Sequence, residues 1–272
     1  MSWKEDASVR GVQEIRKVVE DTEFAKYMLS ARSDFVQMRL HQEAEVYRLY
    51  VEMAESIKDR LGKKSTPLQR RHVRELRVAL LQEAERLADH LGDIIDINLK
   101  AGVTQGSDPH RKMTKRLFTA SEVNQELVTA TGIDKMYYRV NTNAVLALKT
   151  RTYGKSPLVL SDRIWNVAER NANVITRIIE EAVASGRSAI DTARDLEKYL
   201  KSKTAVSKEL RQRIPGLPKD IKYEALRLAR TEVTFAFAEG NYRGGKVSPG
   251  YKGIIWKLSP SHPRPDICDP YA

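Results

Sequence analysis

One cysteine in 272 residues, Cys268, excludes an internal disulfide framework and any multi-cysteine zinc ribbon built by this chain alone. No window supplies the ~20 consecutive apolar residues of a membrane span, so no membrane partner is expected. The opening Met-Ser-Trp-Lys-Glu-Asp carries charge where a secretory signal needs an apolar core. Glycine, at 14, and proline, at 10, are too sparse for a low-complexity or collagen-like chain. Missing as well are the glycine-rich phosphate loops, the Gly-x-Ser-x-Gly elbow and the His-Glu-x-x-His zinc motif. What is present is polar but foldable: 41% hydrophobic and 31% charged, against a usual charged share of ~25%. These features lead us to expect a soluble, intracellular, mainly helical protein of one or two compact units.

The formal charge of +11 is unevenly spread. Residues 1–100 are balanced, at 18 basic and 18 acidic side chains; residues 101–200 carry +4 and residues 201–272 carry +7. A mixed-charge helical surface explains the first third. The last third has the balance of a surface that meets a polyanion, although solubility alone explains such charge equally well.

Residues 3–61 hold no proline and only Gly11. Val12, Ile15, Val18 and Val19, then Phe24, Tyr27 and Met28, fall three and four apart on one helical stripe, which resumes at Phe35 and Met38 and runs on through Val46, Leu49, Tyr50, Met53 and Ile57. One long helix fits, as do two broken near Ser30–Asp34. Gly62 closes the stretch, and Thr66-Pro67 reads as an N-cap and first helical residue. Leu76, Leu80, Leu87 and Leu91 then line a second long helix, which gives a helical hairpin over residues 1–101. Gly102 to Pro109 reads as a loop, the start of a connector over 102–160 with helical pieces near 112–130 and 139–149, broken at Thr131-Gly132 and Tyr153-Gly154.

A third region spans 161–272. Ser161-Asp162 is expected to cap a helix that stops at Gly186, and Ser188 with Asp191 forms a capping-box variant opening the next. Residues 202–219 are basic and turn-rich. Asp220 caps a helix from Tyr223 to about Glu239, after which Gly240, Gly244 and Gly245 are expected to loosen the chain. Gly253 to Leu258 has the β-branched and aromatic content of a short strand. The expected class is mainly α, with an α+β end.

Two constellations are weighed as candidates for chemistry. His262, Asp266 and Cys268 bring imidazole, carboxylate and thiolate together within eight residues. One thiolate and one imidazole leave them short of a closed zinc shell, so no metal and no cofactor are assigned. In Arg227-Leu-Ala-Arg230-Thr-Glu232, Arg230 and Glu232 fall on different sides of a helix, so no strong pair within it is forced, and an internally facing Arg–Glu pair that holds the helix to its neighbours is expected in preference to catalysis. Trp165 and Trp256 are expected as core anchors.

Residues 228–243 (Leu-Ala-Arg-Thr-Glu-Val-Thr-Phe-Ala-Phe-Ala-Glu-Gly-Asn-Tyr-Arg) and 256–269 (Trp-Lys-Leu-Ser-Pro-Ser-His-Pro-Arg-Pro-Asp-Ile-Cys-Asp) resemble the phage Mu F-like head morphogenesis family, which includes minor head proteins of SPP1-like tailed phages. Residues 186–196 resemble the helix that precedes this module, so the likeness covers about 160–272. Many members continue past the Asp-x-Cys segment to a further His-Pro and Cys-x-Cys stretch, which this sequence lacks; either the native chain runs on past Ala272 or this branch does without it.

The resemblance implies a non-enzymatic virion protein, present in several copies on the inner side of the head near the portal vertex and in the host cytoplasm during assembly. Its implied partners are the portal protein, double-stranded DNA bound without sequence preference, and the major capsid protein as a further candidate. Arg230, Glu232, Trp256, His262, Asp266 and Cys268 are then structural motif residues. Lys201, Lys203, Lys208, Arg211, Arg213, Lys219 and Lys222 are candidate DNA contacts. Phe24, Tyr27, Phe35 and Tyr50, on a stripe wider than one hairpin needs, are candidate portal contacts. A DNA-binding accessory protein not tied to a capsid is the alternative from another class.

Overall fold

In the computed structural model, residues 22–62, 70–120, 130–153, 156–201, 208–249 and 251–253 are described. They form α1 (Glu23–Gly62), α2 (Arg70–Ala120), α3 (Ala130–Thr150), α4 (Leu160–Ala184), α5 (Ala189–Lys201), α6 (Lys208–Arg213) and α7 (Tyr223–Lys246). The only β feature among the described residues is an isolated bridge between Tyr153 and Ser156. The strand expected at 253–258 lies outside the described residues from 254 onward.

α1 and α2 form the hairpin's two long arms, of 40 and 51 residues. Thr22 starts α1, its Oγ1 accepting the Ala25 N–H at 3.2 Å. No break occurs at Ser30–Asp34, because nothing there removes a backbone donor or requires a left-handed residue. One apolar core runs from Val46, Tyr50 and Ile57 on α1, through Leu87, Leu91 and Leu99 on α2 and Ile175 and Ile178 on α4, to Ala229 and Ala236 on α7. A smaller cluster joins Ala31, Phe35 and Val36 of α1 to Val233 and Phe237 of α7.

The loop expected at Gly102–Pro109 is helix. α2 continues through Pro109 to Ala120 and crosses the boundary drawn between residues 101 and 102. Pro109 removes one helical hydrogen bond, to the Gln105 carbonyl, but packing against α7 outweighs that loss. Gly240, Gly244 and Gly245 likewise sit inside α7. Gly102 faces Val233 and Ala236, Gly106 faces Phe237 and Asn241, Gly240 faces Val103 and Gly244 faces Ser107, so the two helices cross with their backbones in contact. A Cβ on Gly106 would overlap the Phe237 carbonyl and lie 2.8 Å from the Asn241 nitrogen; one on Gly240 would overlap the Val103 carbonyl. These glycines mark a close helix crossing, where only a hydrogen fits.

Thr131-Gly132, expected as a break, is the first turn of α3. Tyr137 of α3 sits beside the crossing, with its hydroxyl 3.0 Å from Thr114 Oγ1 and donating to the Gly244 carbonyl at 3.3 Å. α4 begins one residue before Ser161: Val159 is its N-cap, and Asp162 Oδ2 accepts the Val159 N–H at 3.1 Å. Its end is a Schellman motif on Gly186, at φ +69°, with Arg187 N–H donating to the Ala182 carbonyl at 2.8 Å. Ser188 caps α5 as expected, its Oγ accepting the Asp191 N–H at 3.1 Å and donating to Asp191 Oδ2 at 2.7 Å. No helix among the described residues is long and apolar enough to cross a membrane.

Candidate functional site: α7 and its basic surroundings

α7 carries the Arg-Thr-Glu motif, and its two charged residues face different neighbours. Arg230 reaches α1, with Nε and Nη2 donating to the two Glu43 carboxylate oxygens at 2.6 Å each. That forked pair holds the Arg230 guanidinium above its ordinary pKa, against the opposing effect of burial. Glu232 faces the other way and is fully buried. Arg163 Nη1 of α4 donates to its Oε1 at 2.5 Å, Arg151 Nη2 meets Oε2 at 3.3 Å, and the Tyr153 hydroxyl donates to Oε1 at 3.0 Å. Arg151 also donates to the Tyr153 hydroxyl and stacks over Phe235, 3.9 Å from its ring centre. Burial pushes the Tyr153 phenol up, and the Glu232 charge pushes it further. A buried carboxylate matched by two guanidiniums and a phenol is built to hold elements together. Arg230 and Glu232 thus do not pair with each other: Glu232 is enclosed by Arg163 and Arg151, and the partly exposed Arg230 reaches Glu43.

Beside this cluster an open cleft of about 370 Å³ lies between α4 and α7, with Arg163, Arg170, Arg227 and Thr231 on its walls. No local sequence signal marks it, because its arginines come from two helices far apart in the chain.

The seven candidate DNA contacts fare differently. Lys208, Arg211 and Lys219 are exposed. Lys201 is engaged with Glu55 at 3.3 Å and Glu197 at 3.0 Å, and Arg213 with Asp195 at 2.6 Å and Glu181 at 3.5 Å. Lys222 is 1% exposed, its ammonium 3.0 Å from Asp220 and donating to the Leu200 carbonyl at 3.4 Å. It cannot reach a phosphate. Its position just before α7 turns its stem inward, toward Leu200 of α5 and the Tyr47 ring of α1, which a count of basic residues does not register. Lys203 lies outside the described residues, as do Trp256, His262, Asp266 and Cys268.

Of the candidate portal contacts, Phe35 and Tyr50 are interior, at 1% and 0% exposure. Phe35 packs on Phe237, with ring centres 4.7 Å apart, and the Tyr50 hydroxyl accepts from Asn171 Nδ2 at 2.6 Å. The stripe on α1 is wide because α5 and α7 cover it as well as α2. Phe24 and Tyr27 stay partly exposed, Phe24 stacked 5.0 Å from the His110 ring. Trp165 is 42% exposed and so is no core anchor; Ile164 and Ala168 take the inward positions beside it. Among the described residues no cluster of three or more His, Cys, Asp or Glu side chains can hold a metal ion.

No family model matches the chain, nor does any curated protein or solved structure.

Proposed function

We propose that this chain is a non-enzymatic minor head protein of a tailed phage, seated inside the head near the portal vertex in several copies and contacting the portal protein and packaged DNA. Support comes from the stretch that carries the resemblance. Residues 228–243 lie within α7, the helix against which α2, α3, α1 and α4 all pack. Arg230 and Glu232, the charged pair of its motif, are both spent on holding neighbouring helices. That is the role expected of motif residues in a structural, non-catalytic module. Partly exposed Phe24 and Tyr27, together with exposed Tyr138 and Leu146 two turns apart on α3, are among the apolar positions open to a protein partner. Lys208, Arg211 and Lys219 remain the candidate contacts to DNA phosphates.

Co-expression of the full chain with the portal protein of the same phage tests this reading. Co-elution with the portal ring on gel filtration is the expected result. Separate elution, with the chain travelling on DNA alone, would instead establish the accessory DNA-binding protein that the +7 of residues 201–272 supports.

A further inference from the structure

We infer that the cleft between α4 and α7 is a binding site for a terminal phosphate group, a phosphomonoester dianion. This inference stands apart from the head-protein reading. Arg163 and Arg170 are two turns apart on α4, and Arg227 and Thr231 one turn apart on α7, so each pair lines its own wall. The two carboxylates in the cleft are already matched: Glu232 by Arg163 and Arg151, Glu224 by Arg170 at 3.2 Å. Arg227 is exposed and has no ion pair among the described residues. Around the cleft, four guanidiniums therefore stand against two carboxylates, an excess of two positive charges. A phosphomonoester carries about −1.5 to −2 near neutral pH, whereas a phosphodiester or a carboxylate carries −1.

The donors fit the same ligand. Arg163 lines the cleft, and its Nη2 is buried without a hydrogen-bond partner, an orphan that a small turn of the guanidinium toward a phosphate oxygen would satisfy. The Thr231 hydroxyl and Asn166 amide also line the cleft without side-chain hydrogen bonds among the described residues. Leu158, Val167 and Leu228 supply an apolar wall for the organic group that bears the phosphate. The phosphate has two natural sources, a small phosphomonoester or the 5′-phosphate end of a nucleic acid.

The test is calorimetry on the full chain in phosphate-free buffer, with phenyl phosphate as probe. We expect saturable binding with one site per chain, and phenyl sulfate, a monoanion of similar shape, at least about tenfold weaker. Arg227→Gln should weaken phenyl phosphate by about tenfold, as loss of a charged hydrogen bond does, while Arg194→Gln, at an exposed ion pair on α5, should leave it unchanged. Absence of saturation, equal affinity for the sulfate, or equal loss in both variants overturns the site. A short duplex then identifies the source. Displacement of the probe by a 5′-phosphorylated duplex but not by its 5′-hydroxyl twin upholds the site as one for a nucleic-acid end. Displacement by neither upholds it for a small phosphomonoester. Displacement by both overturns it, since a backbone phosphodiester then suffices.

Discussion

The two halves of α7 are fastened by opposite chemistries. Its first half is held by charge: Arg230 forks onto Glu43, and Glu232 is enclosed by Arg163, Arg151 and Tyr153. Its second half is held by the absence of side chains: Gly240 and Gly244 let the helix lie directly against Val103 and Ser107 of α2, as Gly106 of α2 does against Phe237 and Asn241. Charge fastening depends on every partner being present, since a buried ion left alone is costly. Backbone contact depends on nothing being added. The first half should therefore be sensitive to deletions and the second to insertions of even one carbon.

The largest expected effect is at Glu232. Replacing it by Gln leaves Arg163 and Arg151 facing a neutral amide in a buried site and should cost about 3–5 kcal/mol in urea denaturation. A loss under about 1 kcal/mol would mean that water already solvates those guanidiniums, and the contrast between the halves would fail. Next is Gly240→Ala. Its methyl overlaps the Val103 carbonyl, so the helices must separate, at about 2–3 kcal/mol. Combined with Gly106→Ala, the two losses should sum to less than their separate values, because one displacement accommodates both methyls. Strict additivity would show that the crossing yields locally.

Arg230→Ala should cost less, about 1 kcal/mol, because this ion pair is partly solvated. Extra salt should shrink the difference between it and the wild type. The smallest effect is pH-dependent and sits on the glycine half. His110 donates to Asn241 Oδ1 at 2.7 Å, lies against Gly245 and stacks on Phe24. Burial holds its pKa below the ordinary value, although the Asn241 bond opposes this. The unfolded chain then takes up this proton first as pH falls. The His110 contribution is complete above about pH 6.5 and is lost on acidification through its lower folded value. Stability measured from pH 8 down to 5 should fall less steeply in His110→Gln than in the wild type.

Apolar spacing made the hairpin arms, α4 and α5 legible, and the Ser188–Asp191 box marked a helix start to the residue. That Glu232 and Arg230 tie α7 to its neighbours could be foreseen, but not their partners, which lie 69 and 187 positions away in the chain. The glycines misled for a physical reason. A lone glycine loosens a helix, and a glycine pair at i, i+4 does so too unless a second such pair meets it in space. Gly102 with Gly106 and Gly240 with Gly244 were both visible, yet either alone argues for a loop. Lys222 misled similarly: its charge counted towards a basic surface, while its position just before α7 sent it inward.

The forked bond between Glu43 and Arg230 also sets a schedule. α1 leaves the ribosome with Phe35 and Val36 uncovered, and the residues that cover them, Val233 and Phe237, are made nearly two hundred residues later. At ~5–20 residues per second, that exposure lasts roughly 10–40 s. Through that interval the acids and bases interspersed along α1 are what opposes its association with other chains.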